Sequence, residues 1–538
     1  MSSIIDTESV PVDSSNNSGS EWSGLLAEVQ AAHNKVLDES RPEAIAKQHD
    51  LGKLSARERI TLLADEGSFV ESGALITPSP ETLHHTGDRP VPADGVVTGQ
   101  CLIAGRPVNM MSLDFSVLGG SMGTVGMIKI ERLVDRSVTS GVPLVMLVEG
   151  GGHRIQEGLD ARHFAIGAPL FRIFPRLSGW VPVAAAVLGP GFAGASNFAA
   201  MADFVVMRKG TSQMGIAGPA LVAAATGELA DAETLGGAKT QTEKNGVADL
   251  AVDSDEEALA AITEFLSFLP TNAQLPPPRV EVAPATGERR SLTEIVPTIS
   301  RRAYDVKKVI AEIVDGNDFF EVKPRYARNI VTAFARIDGR PVGIIANQPQ
   351  VKAGALDAAA CEKGAHFVSM CDAFGLALVY LIDVPGFLVG SPAEASGLAR
   401  RSGRLIFELG QATVPRCSVV LRKGYGLAFV AMCGGRSFDA DLAVAWPSAE
   451  ISAMSVEGAV DVMFKKDVQS AASPADRREE LVSMYKSQLG AVYGAGGYGI
   501  DDVIEPDQTR AALANALRHA PLRRLELQPP RIHPISPI

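Results

Sequence analysis

Residues 149–158, EGGGHRIQEG, carry the pattern in this chain best suited to holding an anion. An acidic residue, Glu149, precedes Gly150, Gly151 and Gly152, and His153, Arg154 and Gln156 follow. The six residues before them, Pro143–Val148, are all apolar and read as a strand buried on both faces. A helix is expected to begin at His153. A strand, a glycine turn and a helix start leave backbone N–H groups without partners. Glycine also lets the backbone come close to whatever lies there. Such a site suits a phosphate, or an oxyanion that develops during a reaction.

A second turn of this kind, Asp383-Val384-Pro385-Gly386-Phe387, follows an apolar strand at Leu378–Ile382. The two belong to a longer register. Gly105-Arg106-Pro107-Val108 returns as Gly339-Arg340-Pro341-Val342, Val145 as Val379 and Gly152 as Gly386, each 234 positions on. Val181-Pro182 returns as Val414-Pro415 and Ala195 as Ala428, 233 positions on. An offset held from Gly105 to Ala195 marks a tandem duplication of one α/β unit, far short of a solenoid array.

The elements around these turns follow in order. Residues 22–65 read as helices, with Ser55 and Glu58 spaced as a capping box and Leu62 and Leu63 on the apolar face. Val96–Gly99 and Pro107–Met111 form a hairpin. Asp114–Gly123 is a glycine loop leading into a helix through Lys129 and Arg132. It is either a tight turn with a cap or a backbone wall beside a ligand. A helix runs from Gly158 to about Pro175. Pro182–Val187 is a buried strand that ends in the small residues 188–195, a second place where helix-start N–H groups point outward. Asp203–Met207 is a strand, 211–219 a loop and Asp255–Phe268 a helix. Arg477–Leu489 is a charged helix.

At 538 residues two large domains are expected. They are 21–270 and 293–525, joined by the proline-rich linker 271–292. Residues 1–20, rich in Ser, Asn and acidic groups, are expected to be disordered, and 526–538 form a tail. The net charge of −12 argues against non-specific nucleic-acid binding. No apolar run reaches membrane-spanning length and no signal-peptide pattern is present. Five scattered cysteines without a CxxC pair exclude a zinc ribbon and suit a reducing cytoplasm. Their ordinary role is as small buried apolar groups, and no metal is expected.

Several segments together resemble a known family: Gly52–Ile60 (GKLSARERI), Asp114–Gly123 (DFSVLGGSMG), Gly151–Gly158 (GGHRIQEG), Gly339–Pro349 (GRPVGIIANQP), Asp383–Phe387 (DVPGF), Ala412–Pro415 (ATVP) and Ala445–Glu450 (AWPSAE). In this order they are similar to the carboxyltransferase (β) subunit of biotin-dependent acyl-CoA carboxylases, the propionyl-CoA and methylcrotonyl-CoA group, over roughly residues 25–525. The resemblance implies an α/β fold of two tandem crotonase-like (ClpP/crotonase) superhelical domains built of ββα units. It implies that carboxybiotin releases CO2 in the site, that the freed biotin anion takes a proton from an acyl-CoA thioester, and that the enolate attacks CO2 at the α or vinylogous γ carbon. Backbone N–H groups stabilise both the enolate and the ureido oxygen, so no side-chain base is required. The chain accordingly offers no Ser-His-Asp or paired-carboxylate set.

Carried over by position, the resemblance implies donor pairs at Gly151 and Gly152 and at Leu427 and Ala428. Gly119, Gly120, Ser121, His153, Gly194, Ala195, Phe429 and Val430 are expected around the substrate. No Met-Lys-Met biotinylation site and no ATP-binding half is present. Biotin is therefore expected on a partner, a biotin carboxylase/biotin carrier (α) subunit. The family's site lies between the N-domain of one subunit and the C-domain of its neighbour, which implies a homo-hexamer. The departures are His153 for Ala, Leu427 for Gly, Val430 for an acidic residue tied to acyl-chain choice, and a missing Gln after Asp383–Phe387. Two other readings share these residues: a biotin-dependent decarboxylase running in reverse, and a non-catalytic paralogue within such a complex.

Overall fold

The computed structural model describes residues 18–524, apart from 88, 166, 167 and 286. In the first half β1 (Val70–Glu71), β2 (Val96–Ile103), β3 (Arg106–Leu113), β4 (Leu144–Gly150), β5 (Val183–Phe192), β6 (Phe204–Arg208), β7 (Gln213–Gly215) and β8 (Leu250–Val252) form one sheet. Its order is β1-β2-β3-β4-β5-β6-β8, with β7 beside β5. β1, β2 and β3 pair antiparallel, and every later pairing is parallel.

The second half repeats this plan with β9 (Phe319–Val322), β10 (Ile330–Ile337), β11 (Arg340–Asn347), β12 (Ala377–Val384), β13 (Arg416–Tyr425), β14 (Leu442–Ala445), β15 (Glu450–Ser452) and β16 (Asp502–Val503). The order is the same, β9-β10-β11-β12-β13-β14-β16, with β15 beside β13. Two parallel-type sheets with helices between strands make this the expected α/β fold of two crotonase-like units. The hairpin turns repeat as well: Ala104 and Gly105 have φ of 48° and 75°, Asp338 and Gly339 55° and 72°. Two consecutive left-handed residues match the twist of the strands they join.

β4 is buried along its whole length, which its unbroken apolar run anticipates. One face packs under helix 124–140. The opposite face contributes to a core shared by both halves. Helix Asp255–Phe268 makes that join. Phe265 stacks on Phe204 at 4.8 Å and meets Phe334 at 5.9 Å, while Phe268 stacks on Phe334 at 5.6 Å. Each fully buried phenylalanine contributes about 2–3 kcal/mol of transfer free energy.

Several expectations change. Helix Ser18–Val36 takes in residues 18–20 of the expected disordered segment; residues 1–17 and the tail from 525 lie outside the described residues. The stretch after Gly158 is not one helix but the short turns Ala161–Phe164, Leu170–Ile173 and Phe174–Leu177. Pro169 and Pro175 lack the N–H that a continuous helix needs. β5 runs past Val187 to Phe192, because β7 pairs with its last residues, Pro190–Phe192. The charged helix spans Pro474–Lys486. The capping box at Ser55 forms as expected. No helix among the described residues is long and apolar enough to cross a membrane.

Candidate active site

At the carboxyl end of β4 the glycine loop and the glycine turn lie backbone against backbone. A Cβ on Gly120 would stand 2.8 Å from Gly150 Cα and closer still to Glu149 O, at a φ of 64°. Met122 N donates to Gly152 O at 2.8 Å and Arg154 N to Met122 O at 2.9 Å, a short parallel bridge through His153. His153 therefore belongs to this bridge, not to a helix, which starts only at Ile155. Its half-buried ring meets the edge of Phe164 at 5.8 Å.

The expected donor pair divides. Gly151 N donates to Gly119 O at 3.3 Å, a long bond that occupies it. Gly152, at φ 89°, has no hydrogen-bond partner for its N–H among the described residues. Gly194 and Ala195 open the next helix, Gly194–Ala200, which lacks a side-chain cap. That helix start is beside the turn: a Cβ on Gly152 would stand 3.1 Å from Phe192 O and 3.2 Å from Ala193 Cβ. Ser121 faces its own loop, donating to Leu118 O at 2.9 Å. Gly119, Gly151, Gly152 and Gly194 thus converge, with Gly120 beneath them.

Arg154 fastens the assembly and was not anticipated. It is buried, with Nη1 2.5 Å from Asp94 Oδ1 and Nη2 donating to Ser121 O at 3.1 Å. Glu157 lies 3.4 Å from it and also accepts from Ser79 Oγ at 2.8 Å, Thr82 Oγ1 at 2.5 Å and Thr124 N at 2.6 Å. Thr124 is the first residue of helix 124–140, so this carboxylate also faces the positive end of that helix. The signal available in sequence was an opposite-charge pair three residues apart, Arg154 and Glu157, which does not by itself say that both are buried.

The second half reproduces the backbone but not the side chains. Leu356 bridges Phe387 as Met122 bridges His153. Lys352 and Ala353 have φ of 50° and 54° where Leu118 and Gly119 have 50° and 63°. A Cβ on Gly354 would stand 2.6 Å from Asp383 O, the counterpart of Gly120 against Glu149. All these pairs are 234 positions apart. Position 151 becomes Pro385, which has no N–H to offer.

The donors of the second half lie instead after β13, on helix Gly426–Ala431, which has no side-chain cap. Gly426 has a φ of 64°, as Ala193 has 51° before the equivalent helix. First-turn N–H groups have no intrahelical acceptor, so those of Leu427 and Ala428 are available. Ala428 is buried, and the Leu427 side chain is 57% exposed at the helix start. Phe429 turns inward, its ring against the backbone of Gly424 and Gly434 and packed on the core. Val430 is half-buried on the same helix. A cavity of about 550 Å³ opens beside Lys423 and Tyr425, lined also by Arg301, Arg302, Glu450 and Lys486. Leu427–Val430 lie on the helix that follows β13 of the second sheet, whereas the glycine cluster follows strands of the first.

Comparison with known proteins agrees with this architecture. The carboxyl transferase domain family matches residues 47–533. The methylmalonyl-CoA carboxyltransferase 12S subunit of Propionibacterium freudenreichii subsp. shermanii is 42% identical over 494 residues, covering 91% of this chain and 92% of that one. The carboxyltransferase subunit of propionyl-CoA carboxylase from Haloferax mediterranei is 39% identical over 521 residues, covering 95% and 99%. A crystal structure of a transcarboxylase 12S hexamer with methylmalonyl-CoA and methylmalonic acid bound superposes with a TM-score of 0.89 at 38% identity, covering 98% of this chain and 100% of that one. By sequence along most of its length and by fold, this chain belongs to the carboxyl transferase family, as a carboxyltransferase subunit of the biotin-dependent acyl-CoA carboxylase kind.

Proposed function

We propose that this chain moves a carboxyl group between biotin borne on a partner protein and the α or vinylogous γ carbon of an acyl-CoA thioester. The observation that carries this reading is a set of open backbone donors in each half: Gly152 in the glycine turn of the first, and Leu427 with Ala428 at an uncapped helix start in the second. Carboxybiotin supplies the carboxyl group. Gly152 N–H, with Gly194 and Ala195 beside it, fits one anionic oxygen, and the uncapped helix start at Leu427 fits another. Fixed N–H groups at a helix start stabilise developing negative charge without reorganising, each worth about 10²-fold or more in rate. Two oxygens, the thioester enolate and the biotin ureido oxygen, need such donors.

The two donor sets lie on different sheets. This supports an assembly in which the unit 21–270 of one subunit faces the unit 293–525 of a neighbour. The hexamer of the related 12S protein supports a homo-hexamer here. The biotin-bearing partner is taken to be an α subunit with biotin carboxylase and carrier parts. Five buried free cysteines fit a reducing cytoplasm.

The test uses purified full-length chain with methylmalonyl-CoA and free biotin, following loss of the thioester-borne carboxylate by chromatography. Biotin-dependent formation of propionyl-CoA is expected. Equal loss with and without biotin would reject the reading. A streptavidin blot of the native complex should show a biotinylated partner.

Two variants bear on substrate choice. Leu427→Gly removes the exposed side chain beside its own N–H. It should raise kcat/KM for the bulkier acyl-CoAs by about tenfold, the scale of a few methylene contacts. Equal gains, or none, across chain lengths would show that Leu427 does not crowd the acyl group. Val430→Asp puts a charge on a half-buried apolar position and should lower the use of long chains relative to short ones by about tenfold. Unchanged relative rates would remove Val430 from the specificity argument.

A further inference from the structure

The motif Gly52–Ile60 takes no part in the reading above, yet it ends at the same turn. Lys53 Nζ forms an ion pair with Glu149 Oε1, and Arg59 Nη1 lies 2.7 Å from Glu149 Oε2. The side chains of Lys53, Arg59 and Glu149 are 5%, 1% and 1% exposed. Lys53 Nζ also sits 4.7 Å over the ring of Phe115, in the glycine loop. Arg59 continues to Asp255 at 2.8 Å, which Arg208 holds from the other side at 2.9 Å. Arg41 takes the neighbouring Asp114 at 3.0 Å. The motif Gly52–Ile60 thus supplies both cations of Glu149, the residue before Gly150, and touches the glycine loop through Phe115.

The second half meets the same need from within. Asp383, 234 positions after Glu149, pairs with Arg422 at 2.8 Å and Lys423 at 3.1 Å, both on the adjacent strand β13. Strand register places Gly424 beside Val384 as it places Gly191 beside Gly150. The first-half counterpart of Arg422 is therefore Gly189. A Cβ on Gly189 would stand 2.5 Å from Glu149 Cδ. The first repeat has no cation at this position. Its space is given to a longer carboxylate, and the countercharge enters from the N-terminal helices.

We propose that Lys53 is a positioning residue for the first glycine turn: by joining Glu149 to Phe115 it fixes the strand end and the loop that present the Gly152 N–H. The proposal rests on the carboxyltransferase reading for its kinetic consequence, and on geometry alone for its structural one. Misplacing donors by about 1 Å costs on the order of 10²-fold in rate.

Lys53→Met keeps the stem and removes the charge. In the full-length chain, with methylmalonyl-CoA and free biotin as probes, kcat should fall about 10²-fold while KM for methylmalonyl-CoA stays within about twofold. Adding Glu149→Asp and Gly189→Arg to Lys53→Met rebuilds the second half's pair in the first and should recover at least about tenfold of the lost kcat. Recovery of thermal stability without recovery of kcat would overturn the proposal, leaving Lys53 a structural residue. So would an unchanged kcat in Lys53→Met. If Lys53→Met does not fold, Glu149→Asp alone retracts the carboxylate while keeping its charge, and an unchanged kcat there overturns it too. Amide hydrogen exchange gives a readout independent of turnover. Peptide 149–158 should exchange faster in the variant and peptide 383–390 should not; equal rates at 149–158 would overturn the proposal even if the wild-type chain shows no biotin-dependent turnover, which by itself counts against the carboxyltransferase reading.

Discussion

Gly120→Ala is expected to abolish measurable carboxyl transfer and to destabilise the chain by about 2–5 kcal/mol. The added methyl would strike the carbonyl of Glu149 and stand 2.8 Å from Gly150 Cα, and neither backbone atom has a rotamer to yield with. The loop and the turn must part, and the open N–H of Gly152 moves with the turn. A loss of at least about 10²-fold in kcat follows from displacement on the scale of an ångström. Gly119→Ala is the matched control. Its φ is 63°, nearly that of Gly120, but nothing stands within 4 Å of a Cβ there. Its counterpart in the second half is already an alanine, Ala353, at φ 54°. Left-handed strain alone should cost about 1 kcal/mol of stability, without forcing the loop and the turn apart. Turnover with methylmalonyl-CoA and free biotin, beside urea unfolding, separates the two. Equal damage from both variants would show that loop strain, not the contact with Glu149, governs the site.

Arg154→Met is expected to cost about 3–5 kcal/mol of stability at neutral pH, the scale for removing one partner of a buried ion pair. It strands the buried carboxylate of Asp94, while Glu157, 3.4 Å away, keeps its donors from Ser79, Thr82 and Thr124. Burial raises the Asp94 pKa above the ordinary carboxylate value, and Arg154 is the main influence opposing that rise. For Glu157 burial would also raise it, but hydrogen bonds from Thr124, Thr82 and Ser79 outweigh burial and bring it down to about 2. The folded value of Glu157 lies below the unfolded value of 4.5, so the unfolded chain binds more protons between these limits. The stability from Glu157 is complete above pH 4.5 and is lost as pH falls toward 2. In the variant, Asp94 rises further, and protonation relieves the buried charge. The deficit against the parent should therefore narrow from pH 7 to pH 5 in denaturant titrations. A deficit constant over that range would mean that lost packing, not stranded charge, sets the cost.

The same residues show how far the chain could be read in advance. The duplication was legible because identical residues recur at 234 and 233 positions, and the structure extends that register to φ angles, bridges and a backbone contact. β4 was legible from its unbroken apolar run, and the Ser55 cap from a spacing of three. The stretch 158–175 was misread because its apolar residues look helical while Pro169 and Pro175 interrupt the backbone. Phe429 was expected near substrate from its place in a motif. Its direction depended on Gly424 and Gly434, which leave space for the ring on the inner side.

What the linear chain determines about this protein is local: which segments are strands, where glycine permits a turn, and that the unit occurs twice. These depend on interactions among near neighbours and on identities that repeat. Packing alone decided that Gly151 N–H is spent on Gly119 O while Gly152 N–H stays open. Packing also decided that Glu149 is neutralised by cations 96 and 90 residues earlier in the chain, at Lys53 and Arg59, where its counterpart Asp383 uses the neighbouring strand. Such pairings arise from strand register and from the few ångströms that a missing Cβ leaves at Gly189. No spacing along the chain expresses that distance, because it is set by two segments meeting across a sheet.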